Sequence, residues 1–306
     1  MSSQPDLRVQ IGGLRMQNPV MVASGTFGYG PEYADLVDLS RLGAVVVKGI
    51  SLEPWQGNLT PRMVEVPGGL VNAIGLQNPG VQGFVAQYLP FLRRCDVPVI
   101  VNIWGRTVED YAEVAARLSD CAGVHGLEIN ISCPNIKEGG IAFGTDTSMT
   151  GRVVAAVRKR TRLPLIPKLA PNVSRIADFA RACADQGADA ISLINSYPAM
   201  VIDVATRRPV LANVTGGLSG PAIHPIAVKL IYEAAQAVRI PVIGIGGITR
   251  PADALEFIIA GATAVAIGTA NFTEPGTALE VIDGIAAYLA AHGLDSVHAL
   301  VGTVQI

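Results

Sequence analysis

Short apolar runs rich in β-branched residues recur along this chain, and segments of helical periodicity separate them. The runs are Pro19–Ser24, Ala44–Gly49, Val97–Trp104, Gly126–Ser132, Leu163–Ala170, Ala190–Ser196, Pro241–Ile248 and Ala264–Ala270. Between them lie amphipathic stretches such as Val108–Cys121, Thr150–Thr161, Arg175–Gln186, Ile223–Val238 and Pro251–Ala260. Apolar runs without strict alternation suit parallel strands covered on both faces. Eight such units in 306 residues match a closed barrel better than an open sheet. The expected fold is α/β, a (β/α)8 TIM barrel. No Ser- or Pro-rich linker divides the chain, so 1–306 is read as one domain. Longer insertions at about 50–78, 133–149 and 197–221 each follow a strand, which assigns them to the C-terminal, catalytic face of a barrel.

Composition excludes several classes. The net charge is −2 and no block of like charges appears, so nucleic-acid binding has no electrostatic support. Mean hydropathy is +0.40. Yet the apolar runs are only strand-length, short of the ~18 residues that span a bilayer, and no membrane association is expected. Met1-Ser2-Ser3-Gln4-Pro5-Asp6 carries neither a basic segment nor an apolar stretch, so no signal peptide is read and a cytoplasmic location is expected. Cysteines stand at 95, 121, 133 and 183 without a CxxC pair. That pattern is neither a disulfide framework nor a zinc or iron–sulfur ligand set, and no metal site is expected. Cys95, Cys121 and Cys183 fall on or beside helical stretches and read as packing residues. Cys133 differs. It ends the strand Glu128-Ile129-Asn130-Ile131-Ser132 and opens into a loop holding Gly139-Gly140, where a thiol can act as nucleophile, metal ligand or proton acceptor.

Polar residues interrupt the strands in a pattern. Lys48 and Lys168 stand inside otherwise apolar runs, where desolvation disfavours an unpaired ammonium. A structural salt bridge or a lysine reaching the strand end is one explanation; recurrence near two strand ends favours an anionic ligand. Asn102, Asn130 and Asn195 end three strands, and Asn72 opens the loop Asn72-Ala73-Ile74-Gly75-Leu76-Gln77-Asn78. One such Asn is ordinarily a turn former. Four together suit a planar heterocycle with ring N–H and C=O edges. Finally, Gly244-Ile245-Gly246-Gly247 closes the seventh strand ahead of a helix near Pro251, and Gly268-Thr269 closes the eighth ahead of a helix after Pro275. Glycines there let a backbone approach a phosphate, a placement common in barrels. The GxGG run lacks the first-strand context of a dinucleotide fingerprint.

At these residues the chain resembles the dihydroorotate dehydrogenases, from about Leu7 to Thr303. Asn72–Asn78, Asn130-Ile131-Ser132-Cys133-Pro134-Asn135 and Gly216-Gly217-Leu218-Ser219-Gly220 carry the likeness. Cys133 stands where the membrane-associated class has serine. Ser132-Cys133-Pro134-Asn135 followed by Gly139-Gly140 and Phe143-Gly144 looks like the NAD-linked class 1B catalytic subunits. Asn195-Ser196 departs slightly from the common Asn-Thr and keeps the hydroxyl.

The resemblance implies oxidation of dihydroorotate to orotate in pyrimidine biosynthesis, with one FMN per chain. It implies cofactor contacts from Ser24, Lys48, Gly49, Asn102, Asn130, Lys168 and Ile194, with the phosphate at Gly246-Gly247 and Gly268-Thr269 assisted by Gly220. Substrate would meet Lys48, Asn72, Ala73, Ile74, Gly75, Leu76, Asn130, Asn195 and Ser196. Cys133 would take the proton from carbon 5, as a base and not a covalent nucleophile, with Lys48 as the second catalytic residue. The Cys133 loop would close over substrate. Electrons would leave through a partner subunit carrying FAD and a 2Fe–2S cluster to NAD, in a heterotetramer of two catalytic and two electron-transfer chains around a homodimer core. The rival readings are a fumarate-linked dihydroorotate dehydrogenase, another FMN-barrel dihydropyrimidine or dihydrouridine reductase, a flavin-free phosphate-sugar isomerase or lyase, and a non-catalytic scaffold.

Overall fold

The structure, a computed structural model, describes residues 4–131 and 144–306. Its strands are, in chain order, β1 (Val9–Ile11), β2 (Leu14–Met16), β3 (Val20–Val22), β4 (Ala44–Ile50), β5 (Met63–Val66), β6 (Gly69–Asn72), β7 (Val99–Ile103), β8 (Gly126–Asn130), β9 (Leu165–Lys168), β10 (Ile191–Leu193), β11 (Tyr197–Met200), β12 (Ile202–Asp203), β13 (Arg208–Pro209), β14 (Thr215–Ser219), β15 (Val242–Ile245) and β16 (Ala264–Ile267). Eight of them close into a parallel barrel in the order β10-β15-β16-β3-β4-β7-β8-β9. This is the expected (β/α)8 architecture. Each barrel strand lies inside one of the apolar runs read from the sequence, except that β4 runs one residue further, to Ile50. β7 and β8 are buried at every position, which explains why their patterns do not alternate.

The helices follow local rules. Val108–Ser119 starts from a capping box, in which the Thr107 hydroxyl accepts from the Asp110 N–H and the Asp110 carboxylate accepts from the Thr107 N–H. Its Tyr111, Val114, Ala115 and Leu118 sit on one face and are buried. Pro251–Ala260 begins on the proline, whose missing N–H is harmless in a first turn. Helices Thr147–Arg158, Ile176–Asp185 and His224–Ala237 lie within about three residues of the expected bounds.

Three differences bear on the site. The apolar runs extend past the strands: Ala190–Ser196 yields only β10, and Ala264–Ala270 yields only β16. Their last residues leave the barrel and line the cavity described below. Secondly, the insertions at 50–78 and 197–221 contribute one antiparallel sheet, ordered β11-β14-β6-β5, with Asn72 paired to Gly217. Periodicity could not reveal it, because its strands are short and half-exposed. Thirdly, β16 does not run directly to the helix Thr277–Ala291. A four-residue helix, Ala270–Thr273, starts immediately after Thr269.

Candidate functional site

One cavity of about 390 Å³ opens where the barrel strands end and the antiparallel sheet begins. Its wall takes Ser24 from the end of β3, Lys48 and Gly49 from β4, Asn102 from β7, Asn130 from β8 and Lys168 from β9. Ile194, Asn195 and Ser196 follow β10; Gly246-Gly247 follow β15; Gly268-Thr269 follow β16. The antiparallel sheet and its loops add Asn72, Ile74, Gly75, Leu76 and Gly220. Thus the structure brings together every expected residue that it describes, except Ala73. That residue is fully buried behind the wall with Val71 and Leu211. There it pins the loop, its N–H donating to the Arg62 carbonyl at 2.8 Å and its carbonyl accepting from Asn58 Nδ2 at 3.0 Å. Cys133 and Gly139-Gly140 lie outside the described residues.

The loop after Asn72 is held in an unusual shape. Leu76 has a φ of 60°, a region that side chains seldom occupy and that tends to mark sites where surrounding structure imposes the geometry. The Trp55 indole donates to the Gly75 carbonyl at 2.8 Å, and Asn78 Nδ2 donates to the Leu76 carbonyl at 2.8 Å. These bonds fix the two carbonyls on either side of the bend.

Beneath the cavity, four adjacent strands contribute a buried polar layer. Asn102, Glu128, Lys168 and Ser192 are each 5% exposed or less. The strand register sets Asn102 beside Glu128 and Lys168 beside Ser192. Glu128 Oε1 accepts from Asn102 Nδ2 at 2.6 Å and faces Lys168 Nζ at 3.8 Å, while Glu128 Oε2 accepts from the Ser192 hydroxyl at 2.9 Å. So the salt bridge weighed for Lys168 exists, and the same lysine still lines the cavity. Higher up, Tyr111 donates to the Asn130 carbonyl at 2.7 Å, and Asn195 Nδ2 donates to Asn130 Oδ1 at 3.3 Å.

Two cations share the sheet side of the cavity. Burial pulls the Lys48 ammonium below the ordinary lysine range, and neighbouring Arg62 adds to this against the opposing pull of Glu32. Arg62 Nη2 donates to Gln77 Oε1 at 2.5 Å, which holds the guanidinium in the wall. By contrast, the three described cysteines behave as packing residues. Cys95 and Cys121 are each raised by burial and direct their thiols at helix carbonyls, and burial pushes Cys183 up to about 12.

The glycines at the far end form a cradle. Gly246 has a φ of 142° and Gly247 one of 67°. A Cβ on Gly247 would stand 2.7 Å from the Gly220 carbonyl oxygen and 2.8 Å from His224 Cβ. Gly268 differs, since its nearest neighbour would be Ala23 Cβ at 3.8 Å. The Thr269 hydroxyl donates to Ser219 Oγ at 2.8 Å, tying the eighth strand's end to the antiparallel sheet. Behind the cradle, His224 Nδ1 lies 3.0 Å from the Gly246 carbonyl and its Nε2 lies 3.3 Å from Glu256 Oε2. His224, Asp253 and Glu256 bring potential metal-ligand atoms within 4.8 Å, but Asp253 already accepts from Thr249 and Arg250.

Sequence reading missed Arg62, Glu128, Ser219, His224 and Phe272. For Glu128 the signal was present: a carboxylate inside Leu127-Glu128-Ile129 is the same anomaly that singled out the two lysines. Arg62, in a long polar insertion, carried none. Among the described residues no helix is long and apolar enough to cross a membrane.

The fit to a flavin nucleotide can be tested on these residues. A cradle of side-chain-free backbone suits a phosphate. In the opposite wall, buried Asn102 Oδ1 has no partner among the described residues, an acceptor suited to a ring N–H. The residues present fit the group.

Comparison with known proteins agrees with the geometry. Residues 6–289 match the sequence profile of the family described as dihydroorotate dehydrogenase. The chain is 56% identical over 302 residues to a Pelobacter propionicus protein named dihydroorotate dehydrogenase B (NAD(+)), catalytic subunit, covering 99% of each chain. Proteins of the same name from Geobacter sp. strain M21 and Geobacter sulfurreducens are each 55% identical over 303 residues, again covering 99% of both chains.

Proposed function

The chain belongs to the dihydroorotate dehydrogenase family, and on that premise we propose that it is the FMN-dependent catalytic subunit that oxidises (S)-dihydroorotate to orotate with NAD as final acceptor. The observation that carries this reading is one cavity that collects three cations, a set of asparagines and a glycine cradle from eight strand ends and one overlying sheet.

FMN, when bound, would supply the hydride acceptor, and a partner subunit bearing FAD and a 2Fe–2S cluster would be the outlet toward NAD. The remaining work falls to this chain. Gly220, Gly246, Gly247, Gly268 and Thr269 would hold the phosphate, and Ser24, Gly49, Asn102, Lys168 and Ile194 the ring and ribityl chain. Lys168, in the cavity wall, would offer an ammonium to negative charge on the reduced ring. Asn130, Asn195 and Ser196 offer neutral donors and acceptors to the pyrimidine edge, and the Asn195 amide is already oriented by Ser196 N–H, which donates to its Oδ1 at 2.8 Å. Lys48 and Arg62 face the substrate carboxylate. The loop from Asn72 to Leu76 closes the sheet side.

Cys133 is assigned the proton at carbon 5. A free thiol has a pKa of ~8.5, so only a minor fraction is thiolate at neutral pH. Burial raises all three described cysteines and none of them lines the cavity; the family resemblance assigns the base to Cys133. By the same reading the molecule works in the cytoplasm, as one domain, in a heterotetramer with a homodimer core. The test is anaerobic: purified protein should be yellow, and dihydroorotate should bleach its flavin absorbance within turnover times. Colourless protein that neither binds added FMN nor responds to dihydroorotate would end the proposal.

A further inference from the structure

A carboxylate set among apolar barrel strands needs a reason. Glu128 is 3% exposed, and among the described residues its polar side-chain contacts are to the same layer: Asn102, Ser192 and Lys168. Two consequences follow from chemistry alone. An ionised carboxylate only accepts hydrogen bonds. At 2.6 Å it therefore obliges Asn102 to turn its NH2 toward Glu128 and its oxygen away, toward Gly49, where a Cβ would lie 2.8 Å from that oxygen. With a neutral amide in place of the carboxylate, Asn102 would be free to present either end. Secondly, the carboxylate supplies the counter-charge to Lys168 in a place where solvent cannot.

We propose that Glu128 is a positioning residue for the bound flavin: it fixes which end of the Asn102 amide meets the site and offsets the Lys168 ammonium beneath it. The proposal rests on the FMN reading above. Its electrostatic content is specific. Lys168 favours the reduced, negatively charged ring, and Glu128 opposes that preference. Together they set how much more tightly the protein holds reduced than oxidised FMN, and hence the reduction potential. A barrel core built only for stability has no need of this, since a buried ion pair replaced by apolar residues is often neutral or stabilising.

The experiment compares the holoprotein with Glu128→Gln and Ser192→Ala, measuring FMN affinity and the potential of bound FMN by dye equilibration. Removing the anion leaves Lys168 unopposed, so Glu128→Gln should favour reduced over oxidised FMN at least tenfold, an upward shift of about 30 mV for a two-electron couple. Ser192→Ala removes a neutral hydrogen bond to the same carboxylate, so it should lower thermal stability and leave the potential in place. If Glu128→Gln does not fold, Glu128→Asp withdraws the charge by one methylene and should shift the potential upward by a smaller amount. An unchanged or lowered potential in the foldable variant, or equal shifts in Glu128→Gln and Ser192→Ala, overturns the proposal while FMN binding stands. Failure of the unaltered protein to bind FMN overturns both.

Discussion

Adding one methyl group at Gly247 should separate the cradle's backbone from its surroundings. At a φ of 67° an alanine pays the left-handed penalty, about 1–2 kcal/mol. Its Cβ would also stand 2.7 Å from the Gly220 carbonyl oxygen and 2.8 Å from His224 Cβ. Neither neighbour is a loose side-chain tip. Gly220 itself has a φ of 102°, and the His224 ring is held against the Gly246 carbonyl. Overpacking of this kind costs about 1–3 kcal/mol. The combined loss is about 2–5 kcal/mol, which for a chain of this size lowers the melting temperature by about 3–8 °C. Calorimetry on flavin-free protein reads that shift, and quenching of FMN fluorescence reads affinity, expected to drop by at least tenfold. Gly268→Ala is the control. Its Cβ meets only Ala23 Cβ at 3.8 Å, so flavin-free protein should melt as before while FMN binding weakens, because the methyl occupies cavity space. A Gly247→Ala protein that melts and binds like the original would refute the cradle.

Two further outcomes test the chemistry. The flavin-reduction step should accelerate as pH rises until Cys133 is ionised and should fall by orders of magnitude in Cys133→Ala; stopped-flow traces that are flat from pH 6 to 9 would remove the thiol from the mechanism. Lys48 serves as a cation only below its pKa, which burial and Arg62 depress, so substrate affinity should decline at a lower alkaline pH than a free lysine would give. Arg62→Met should raise the KM for dihydroorotate and move that alkaline limb to higher pH, and a limb that stays in place would mean Arg62 does not act on Lys48.

How much of this was legible depended on what each residue's neighbours are. Barrel strands were readable because both faces of β7 and β8 are covered, so every position is apolar or anomalous. That background made Lys48, Asn102, Asn130 and Lys168 conspicuous. The antiparallel sheet was not readable. β11 and β14 pair across a segment that holds β12 and β13, and β14 and β6 pair across four barrel strands, with Asn72 opposite Gly217. No local pattern encodes a partner so distant. Ala73 shows the converse error: membership in a motif with cavity residues on both sides suggested contact, whereas the loop's bend turns it into the packing behind. The short helix after Thr269 escaped for lack of length, four residues giving no period to detect.

Charge placement links the fold to the proposed chemistry more tightly than any one residue does. A parallel barrel brings two register pairs together here, Asn102 with Glu128 and Lys168 with Ser192, offset by two residues because Lys168 pairs with Asn130, so side chains from four consecutive strands become neighbours although 90 positions separate the first from the last. Each would be expensive alone in such a core. Together they satisfy one another and leave Lys168 and Asn102 at the cavity wall with defined orientations. Among the described residues Lys48 has no such layer: burial and Arg62 pull its range down against Glu32, and a substrate carboxylate is the counter-charge that would relieve both. The two lysines therefore differ in what they await. Lys168 is compensated within the protein by Glu128, whereas on the proposed function the Lys48–Arg62 pair would be compensated by what binds, which would make it the determinant of a carboxylate-bearing pyrimidine over a neutral one.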